Sequence, residues 1–408
     1  MEINDDKIVS VFKDFKTSFY ILDSKQFEIN YNNLLQSFRK YYPNTYIAYS
    51  YKTNYTPKLC KLIDEMGGFA EIVSDMEGEI AYRVGVHPAH IYFNGPYKNM
   101  KFVEKLLLDG GCVNVDSLTE LKQVIELSKK HKEIFNIALR LNFNIEDGVV
   151  SRFGFDVMGN DFIEAINLIN KNKTLHLKGL HSHFASRNIT YWPNRIKGII
   201  EVIEKYFPNE SFEFIDLGGG LFGNMKDTLK AQFDTLIPSY EDYAQSVAIE
   251  FEKYFRNKPY KPMLFIEPGS ALAGDVMKFV AKVVSIKSVR GKSIATLLGS
   301  IYNINPTLNK KNPPIHVIHC GQKLNHYQNL DFGGFTCIES DYLYKNYNGD
   351  LAEEDLIVFD NVGSYSIVLK PPFILPNFPV VDLSDDKVEI IKREENFDDL
   401  FHTYKMNF

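Results

Sequence analysis

No stretch of this chain approaches the roughly 18 consecutive apolar residues that a membrane-spanning helix requires. Its opening residues, MEINDDKIVS, lack both the basic patch and the apolar segment of an export signal, so a soluble, cytoplasmic protein is expected. A basic excess is missing too: 46 Lys and Arg against 52 Asp and Glu give a net charge of −6. Nothing in that balance draws the chain to nucleic acid or to an anionic membrane. Cysteine is scarce, and Cys60, Cys112, Cys320 and Cys337 lie far apart with no CxxC pair, which argues against a disulfide framework or a zinc site. Low-complexity linkers are absent. What remains is a small-molecule partner and, with 408 residues at 45% hydrophobic content, enough apolar mass for two domains, or for one barrel with an appendage.

Short apolar runs fall at 45–51, 69–73, 90–93, 112–116, 136–142, 178–184, 212–217 and 263–267. Most are separated by helical patterns such as SLTELKQVIELSKK (117–130), where Leu118, Leu121, Val124, Ile125 and Leu127 approximate one helical face. Strand alternating with helix implies parallel pairing. Eight such units close into a (β/α)8 barrel, although an open doubly wound sheet would use similar units. From about 271 the pattern changes: FVAKVVSIKSV, SIATLLGS, PPIHVIHC and DLIVFDNVG are short, rich in Val and Ile, and broken by Gly, Asn and Pro, as antiparallel strands are. The expected division is a barrel over 27–270 and an antiparallel β-domain over 271–408. The region 1–26, through its run SFYILD (18–23), joins the β-domain.

In such a barrel chemistry gathers at the C-terminal ends of the strands, and here those ends are polar. The first run, TYIAYSYKTNYTP, contains Lys52, and a lysine so close to a core has to be paired, neutralised or chemically used. The second carries Glu71; the fifth ends in RLN, the sixth in HSHFAS, the seventh in DLGGG and the eighth in EPG. Gly218, Gly219 and Gly220 let backbone N–H groups approach an anion, as a phosphate cradle requires, or else simply form a tight turn. His181 and His183 lie two apart and face one side of their strand. One can lie flat against an aromatic ring, or both can be core residues; a metal would want a third ligand. Glu267, set by Pro268 and Gly269, can keep a pyridinium nitrogen protonated. Lysine, anion cradle, stacking imidazole and carboxylate together describe a site for pyridoxal 5′-phosphate, with no metal.

These segments resemble the fold-type III pyridoxal phosphate decarboxylases, the group of diaminopimelate, ornithine and arginine decarboxylases whose barrel is related to that of alanine racemase. YSYKTN looks like the family's Y-A-x-K-A-N, which implies that Lys52 bonds the cofactor's aldehyde. GLHSHFAS resembles G-x-H-x-H-x-G-S, implying His183 as the stacking residue and Ser186 as a phosphate ligand. DLGGGL matches the glycine loop, EPG places Glu267 at the pyridine nitrogen, and SRFGF is similar to S-[KR]-F-G with Arg152. NGPYK (94–98) and NVDSLTEL (114–121) follow in the right order and spacing. In the β-domain, GFTCIESDYL is similar to G-P-x-C-[ED]-x-x-D-x-L and GSYS to G-A-Y. The resemblance thus implies a homodimer with shared active sites, in which Cys337 enters the partner subunit's site as proton donor and Tyr365 holds the phosphate; without it, Cys337 would read as an inert buried thiol.

Two departures stand out. Diaminopimelate decarboxylases continue EPG with arginine and use further arginines in the β-domain, whereas this chain has Ser270 and no arginine from 291 to 392. Where relatives put an acid directly after the cysteine, this chain has Ile338, with Glu339 next and Asp341 beyond. Ser270, Glu339 and Asp341 are the expected substrate contacts, and the substrate is an amino acid, with room for a modified or conjugated one. Racemisation or other α-carbon chemistry on the same barrel, a non-catalytic cofactor carrier, and a metal-dependent barrel hydrolase using His181 and His183 are the alternatives.

Overall fold

The structure is a computed structural model that describes residues 3–321 and 323–406; residues 1–2, 322 and 407–408, which belong to the expected N-terminal region and β-domain, lie outside the described residues. Two compact units are formed. One comprises Ile29–Gly223 with Thr235–Ala271, and the other the segment up to Glu28, Asn224–Asp234 and the chain from Leu272 onward.

The first unit is a closed barrel. In chain order, after β1 (Phe19–Leu22), which belongs to the other unit, its strands are β2 (Thr45–Ser50), β3 (Phe69–Ile72), β4 (Ile91–Phe93), β5 (Cys112–Val115), β6 (Phe135–Asn142), β7 (Phe155–Asp156), β8 (Leu175–Ser182), β9 (Phe214–Asp216) and β10 (Met263–Ile266). Strands β2, β3, β4, β5, β6, β8, β9 and β10 pair in parallel in that order, and β10 returns to β2. All eight expected strands are present, and β7 is a two-residue addition on β6. Helices between the strands are capped by their own sequence: Ser74 and Ser117 accept from the backbone N–H three residues on, opening Asp75–Val84 and Leu118–His131.

The barrel interior is layered by the two-residue period of its strands. One layer consists of Ala48, Phe69, Tyr92, Cys112, Ala138, Phe214 and Phe265. Its rings meet with centroids at 4.8 Å (Phe69–Phe265), 4.9 Å (Tyr92–Phe214) and 5.0 Å (Tyr92–Phe265), in the tilted and edge-on arrangements that aromatic quadrupoles favour. Two residues further along the same strands, hence on the same face and nearer the C-terminal rim, stand Ser50, Glu71, Asn94, Asn114, Arg140, Asp216 and Glu267. The aromatic layer is the floor on which the polar one rests.

The second unit contains β1 and β11 (Met277–Val289), β12 (Lys292–Leu297), β13 (Ile315–Ile318), β14 (Asn325–Gly333), β15 (Tyr342–Leu351), β16 (Leu356–Phe359), β17 (Val380–Asp382) and β18 (Glu389–Lys392). Most pairings are antiparallel as expected, but β1 with β17 and β12 with β14 are parallel, so the sheet is mixed. The N-terminal strand produces the first exception: β1 lies between β11 and β17, antiparallel to one and parallel to the other. Ile8 and Val11 of the helix Asp5–Phe15 pack with Phe19, Ile21, Val280, Val358 and Val381 in the core of this unit.

Phe265 touches four aromatic neighbours in the barrel floor. Phe265→Ala should therefore lower unfolding free energy in urea by about 3–5 kcal/mol; a loss near zero would mean that the floor collapses to refill the space.

Candidate active site

Lys52 lies in a single 3₁₀ turn, Tyr51–Thr53, at the end of β2. Its Nζ is 2.5 Å from Glu71 Oε2 and 3.4 Å from Ser50 Oγ. Glu71, on β3, is wholly buried, and its other oxygen accepts from Asn94 Nδ2 at 2.9 Å. The same amide reaches Glu267 Oε1 at 2.5 Å, and Asn114 Nδ2 donates to Asn94 Oδ1 at 2.5 Å. Asn94 and Asn114 thereby couple the ends of β3, β4 and β5 to the carboxylate that follows β10. Neither was expected as a site residue, although their position two residues beyond Tyr92 and Cys112 is the pattern that also yields Glu71 and Glu267.

Opposite them, His181 Nε2 and His183 Nδ1 stand 3.4 and 3.7 Å from Glu267 Oε2. Asp216, at the end of β9, faces the same carboxylate: ligating atoms of His181, Asp216 and Glu267 all fall within 4.8 Å of one another. The charges sort themselves by environment. Burial alone would raise Glu267, but the fields of His181 and Lys52, with a hydrogen bond from His181, outweigh it and hold this carboxyl below the ordinary range. Asp216 goes the other way, pushed well up by burial and then by the negative charge of Glu267. The two buried acids are thus pushed in opposite directions, Glu267 toward losing its proton and Asp216 toward keeping one. His183 is driven well below the usual imidazole range by loss of hydration and by the nearby Lys52 charge, so its ring is neutral. Its Nδ1 accepts from Gly219 N–H at 2.9 Å, which places the ring proton on Nε2.

The glycine loop is threaded through a space that no side chain could share. A Cβ on Gly218 would lie 2.5 Å from the Ser182 carbonyl, and one on Gly219 would lie 2.3 Å from that of Glu267. Gly218 and Gly220 also have φ of 68° and 93°, which glycine adopts without penalty. Gly218 N–H is taken by Asp216 Oδ1 at 2.8 Å. Ser186 lies on the adjacent loop, half-buried, with its hydroxyl accepting from Asn188 N–H. Behind both loops sits Arg195, fully buried, donating to carbonyls of each. At the rim, Arg187 donates to Ser270 Oγ at 3.3 Å and lies over the Phe222 ring.

Arg152 is not part of this cluster. It is exposed and stacked on Phe153; the arginines whose charges act on His183 are Arg140, buried on β6 and 3.2 Å from Asp116, and Arg195. In the second unit, Cys337 and Glu339 are exposed beside an open recess of ≈ 230 Å³. Asp341 differs from the expectation of a substrate contact. Its buried carboxylate accepts from Ser300 Oγ (3.0 Å), Ile301 N–H (2.7 Å) and Thr336 Oγ1 (2.6 Å), which clamps the loop that presents Cys337. Tyr365 occupies a left-handed conformation, φ 63°, just before the short helix Ser366–Leu369, a strained backbone of the kind that concentrates at functional positions.

The barrel residues fit pyridoxal phosphate: an amine, a glycine loop with no room for Cβ, a neutral imidazole and a carboxylate held below the ordinary range converge from four strand ends. The family "Pyridoxal-dependent decarboxylase, pyridoxal binding domain" matches residues 30–274. The chain is 26% identical to the diaminopimelate decarboxylase of Methanocaldococcus jannaschii over 96% of its own length and 92% of the relative's. It is 26% identical to that of Bacteroides thetaiotaomicron, over 93% and 98%. Its fold is similar to the M. jannaschii diaminopimelate decarboxylase solved with L-lysine (TM-score 0.86, 24% identity, covering 98% and 94%). It is also similar to a lysine decarboxylase from Selenomonas ruminantium (TM-score 0.79, 18% identity, covering 94% and 97%).

The protonated state of Asp216 can be tested through stability. The folded chain keeps a proton that the unfolded chain releases above about pH 4. This group therefore costs stability increasingly as pH rises from there toward its raised folded value. Asp216→Asn preserves the shape and removes the titration. In urea unfolding the variant should gain on the wild type as pH rises above about 4, by at most about 1.4 kcal/mol per pH unit; a difference that does not change with pH would show Asp216 to be ionised.

Proposed function

Because the chain belongs to the pyridoxal-dependent decarboxylase family, in which pyridoxal phosphate serves the release of CO2 from an amino acid, we propose that its reaction is carried by Lys52, Glu267 and His183 in the barrel and by Cys337. The observation that carries this is the convergence on one point of the Lys52–Glu71 pair, the ionised Glu267 and the glycine loop. When bound, the cofactor supplies the electron sink that accepts the pair left on the α-carbon as CO2 departs.

Each side chain then has a defined task. Lys52 would hold the cofactor through its aldehyde, and Glu71, 2.5 Å from its Nζ, would be the acceptor for protons that the amine gives up. Glu267, held below the ordinary carboxyl range, would accept from the ring nitrogen and favour a proton there. His183, uncharged, would face the ring without opposing that proton. Gly218, Gly219, Gly220 and Ser186 take the phosphate, joined by Tyr365, while Arg152, exposed on Phe153, is left out of the cofactor-binding set. The enzyme is a cytoplasmic homodimer in which Cys337 of each chain serves the barrel of the other, giving a proton to the α-carbon after CO2 has left. Among the described residues no helix is long and apolar enough to cross a membrane, in keeping with that location.

At the rim, Arg187 has no carboxylate within ion-pair distance among the described residues and is held by Phe222 and Ser270. It restores a guanidinium beside the position where the chain has Ser270 instead of arginine. This favours a substrate with a second acidic group, and diaminopimelate, the substrate named for the relatives, is the first to try. Glu339, exposed next to Cys337, is the remaining contact for a distal amine.

Release of CO2 from D- and L-amino acids, including diaminopimelate, lysine, ornithine and arginine, identifies the substrate. Lys52→Ala should abolish turnover, and Cys337→Ala should lower kcat by about two to four orders of magnitude. Near-normal activity in Lys52→Ala would sink the assignment. Activity lost on chelation and restored by a divalent metal would favour the hydrolase instead.

A further inference from the structure

Arg195 sits on the helix Trp192–Tyr206 with none of its surface exposed. Its guanidinium donates to four backbone carbonyls: Phe184 (3.0 Å) and Ser186 (2.8 Å) on the loop after β8, and Leu217 (3.3 Å) and Gly219 (2.7 Å) on the loop after β9. It is stacked at 4.1 Å on Trp192, the only tryptophan of the chain. Among the described residues no carboxylate lies within ion-pair distance, and its Nε has no acceptor.

Carbonyl dipoles satisfy N–H groups but do not neutralise a charge. Burial accordingly brings this guanidinium down to about 9, against the weaker support of Tyr243 and Asp147. A glutamine or methionine could fill the space without that penalty, so an uncompensated cation here calls for an anion. The place of the anion follows from the same contacts. The guanidinium lies against the third glycine, since a Cβ on Gly220 would meet Arg195 Nη2 at 3.3 Å. By holding the carbonyls of Gly219 and Ser186 inward, it leaves the opposite side of those peptides to present N–H groups outward.

We infer that Arg195 is a positioning residue for the phosphate end of the cofactor: it staples the two loops into one cradle and supplies, from behind, the positive charge that the cradle's glycines lack. The assignment rests on pyridoxal phosphate being the group held at this barrel rim. It differs from a purely structural role in one respect, that it makes binding depend on the phosphate's charge.

The test compares pyridoxal phosphate with pyridoxal on the apoprotein, by ultrafiltration and by Trp192 fluorescence. Wild type should prefer the phosphorylated form. Arg195→Gln should reduce that preference by about ten- to a hundredfold, the usual effect of one charge in a partly screened site, and Arg195→Lys, which keeps the charge with fewer donors, should retain most of it. Inorganic phosphate should raise the Tm of the wild-type apoprotein above that in chloride of equal ionic strength, and not that of the Gln variant. A Gln variant that loses both ligands equally, or keeps the wild-type preference, overturns the assignment alone. Should Arg195→Gln fail to fold, a folded Lys variant with no preference does the same. A wild-type apoprotein that binds neither pyridoxal phosphate nor phosphate overturns the cofactor reading as well.

Discussion

An ionised carboxylate with almost no access to water is the constraint around which the barrel is arranged. Glu267 is 2% exposed, and an isolated charge at such a depth would take up a proton rather than persist. It persists because cationic and donor groups reach it from other strands: His181, the Asn94 amide, and the field of Lys52. Asp216, beside it, yields by keeping its proton. Remove the charge on Glu267 and the reasons for His181, Asn94 and Asp216 to occupy these positions disappear together.

The polar shell is tied to stability through the strand period. Glu71, Asn94, Asp216 and Glu267 each follow by two residues an aromatic residue of the floor, Phe69, Tyr92, Phe214 and Phe265. A slip of one residue on any of these strands would bury the wrong face and misplace the functional group at once. Packing of the floor and placement of the charges are therefore one specification. The glycine loop shows the same economy, because Glu267 N–H donates to the Gly218 carbonyl at 3.0 Å and so sets the loop against the strand that carries the carboxylate.

Much of this was legible in the sequence because it is local. The eight barrel strands announce themselves as apolar runs between amphipathic helices, and Lys52, His183, the triple glycine and Glu267 lie in contiguous motifs. Residues whose role depends on partners distant in the chain were not legible. Asn94 has ordinary neighbours in NGPYK, and its task appears only when β4 lies between Glu71 and Glu267 in the closed barrel. Arg195 looks like a polar residue on a surface helix until its four carbonyl acceptors are seen. Arg152 stood in a recognisable motif, yet it is Arg140 that the fold buries, and Asp341 proves to hold its own loop. The mixed second sheet was hidden for a related reason: a short apolar run does not disclose the direction of the strand it joins.

The most direct test of this charge arrangement is a ¹³C NMR titration of side-chain carboxyls in the apoprotein, with Glu267→Gln and Asp216→Asn used to assign the two resonances. At neutral pH Glu267 should be ionised and Asp216 protonated. A protonated Glu267 would contradict this arrangement, since no carboxylate would then stand ready to hold a proton on a ring nitrogen.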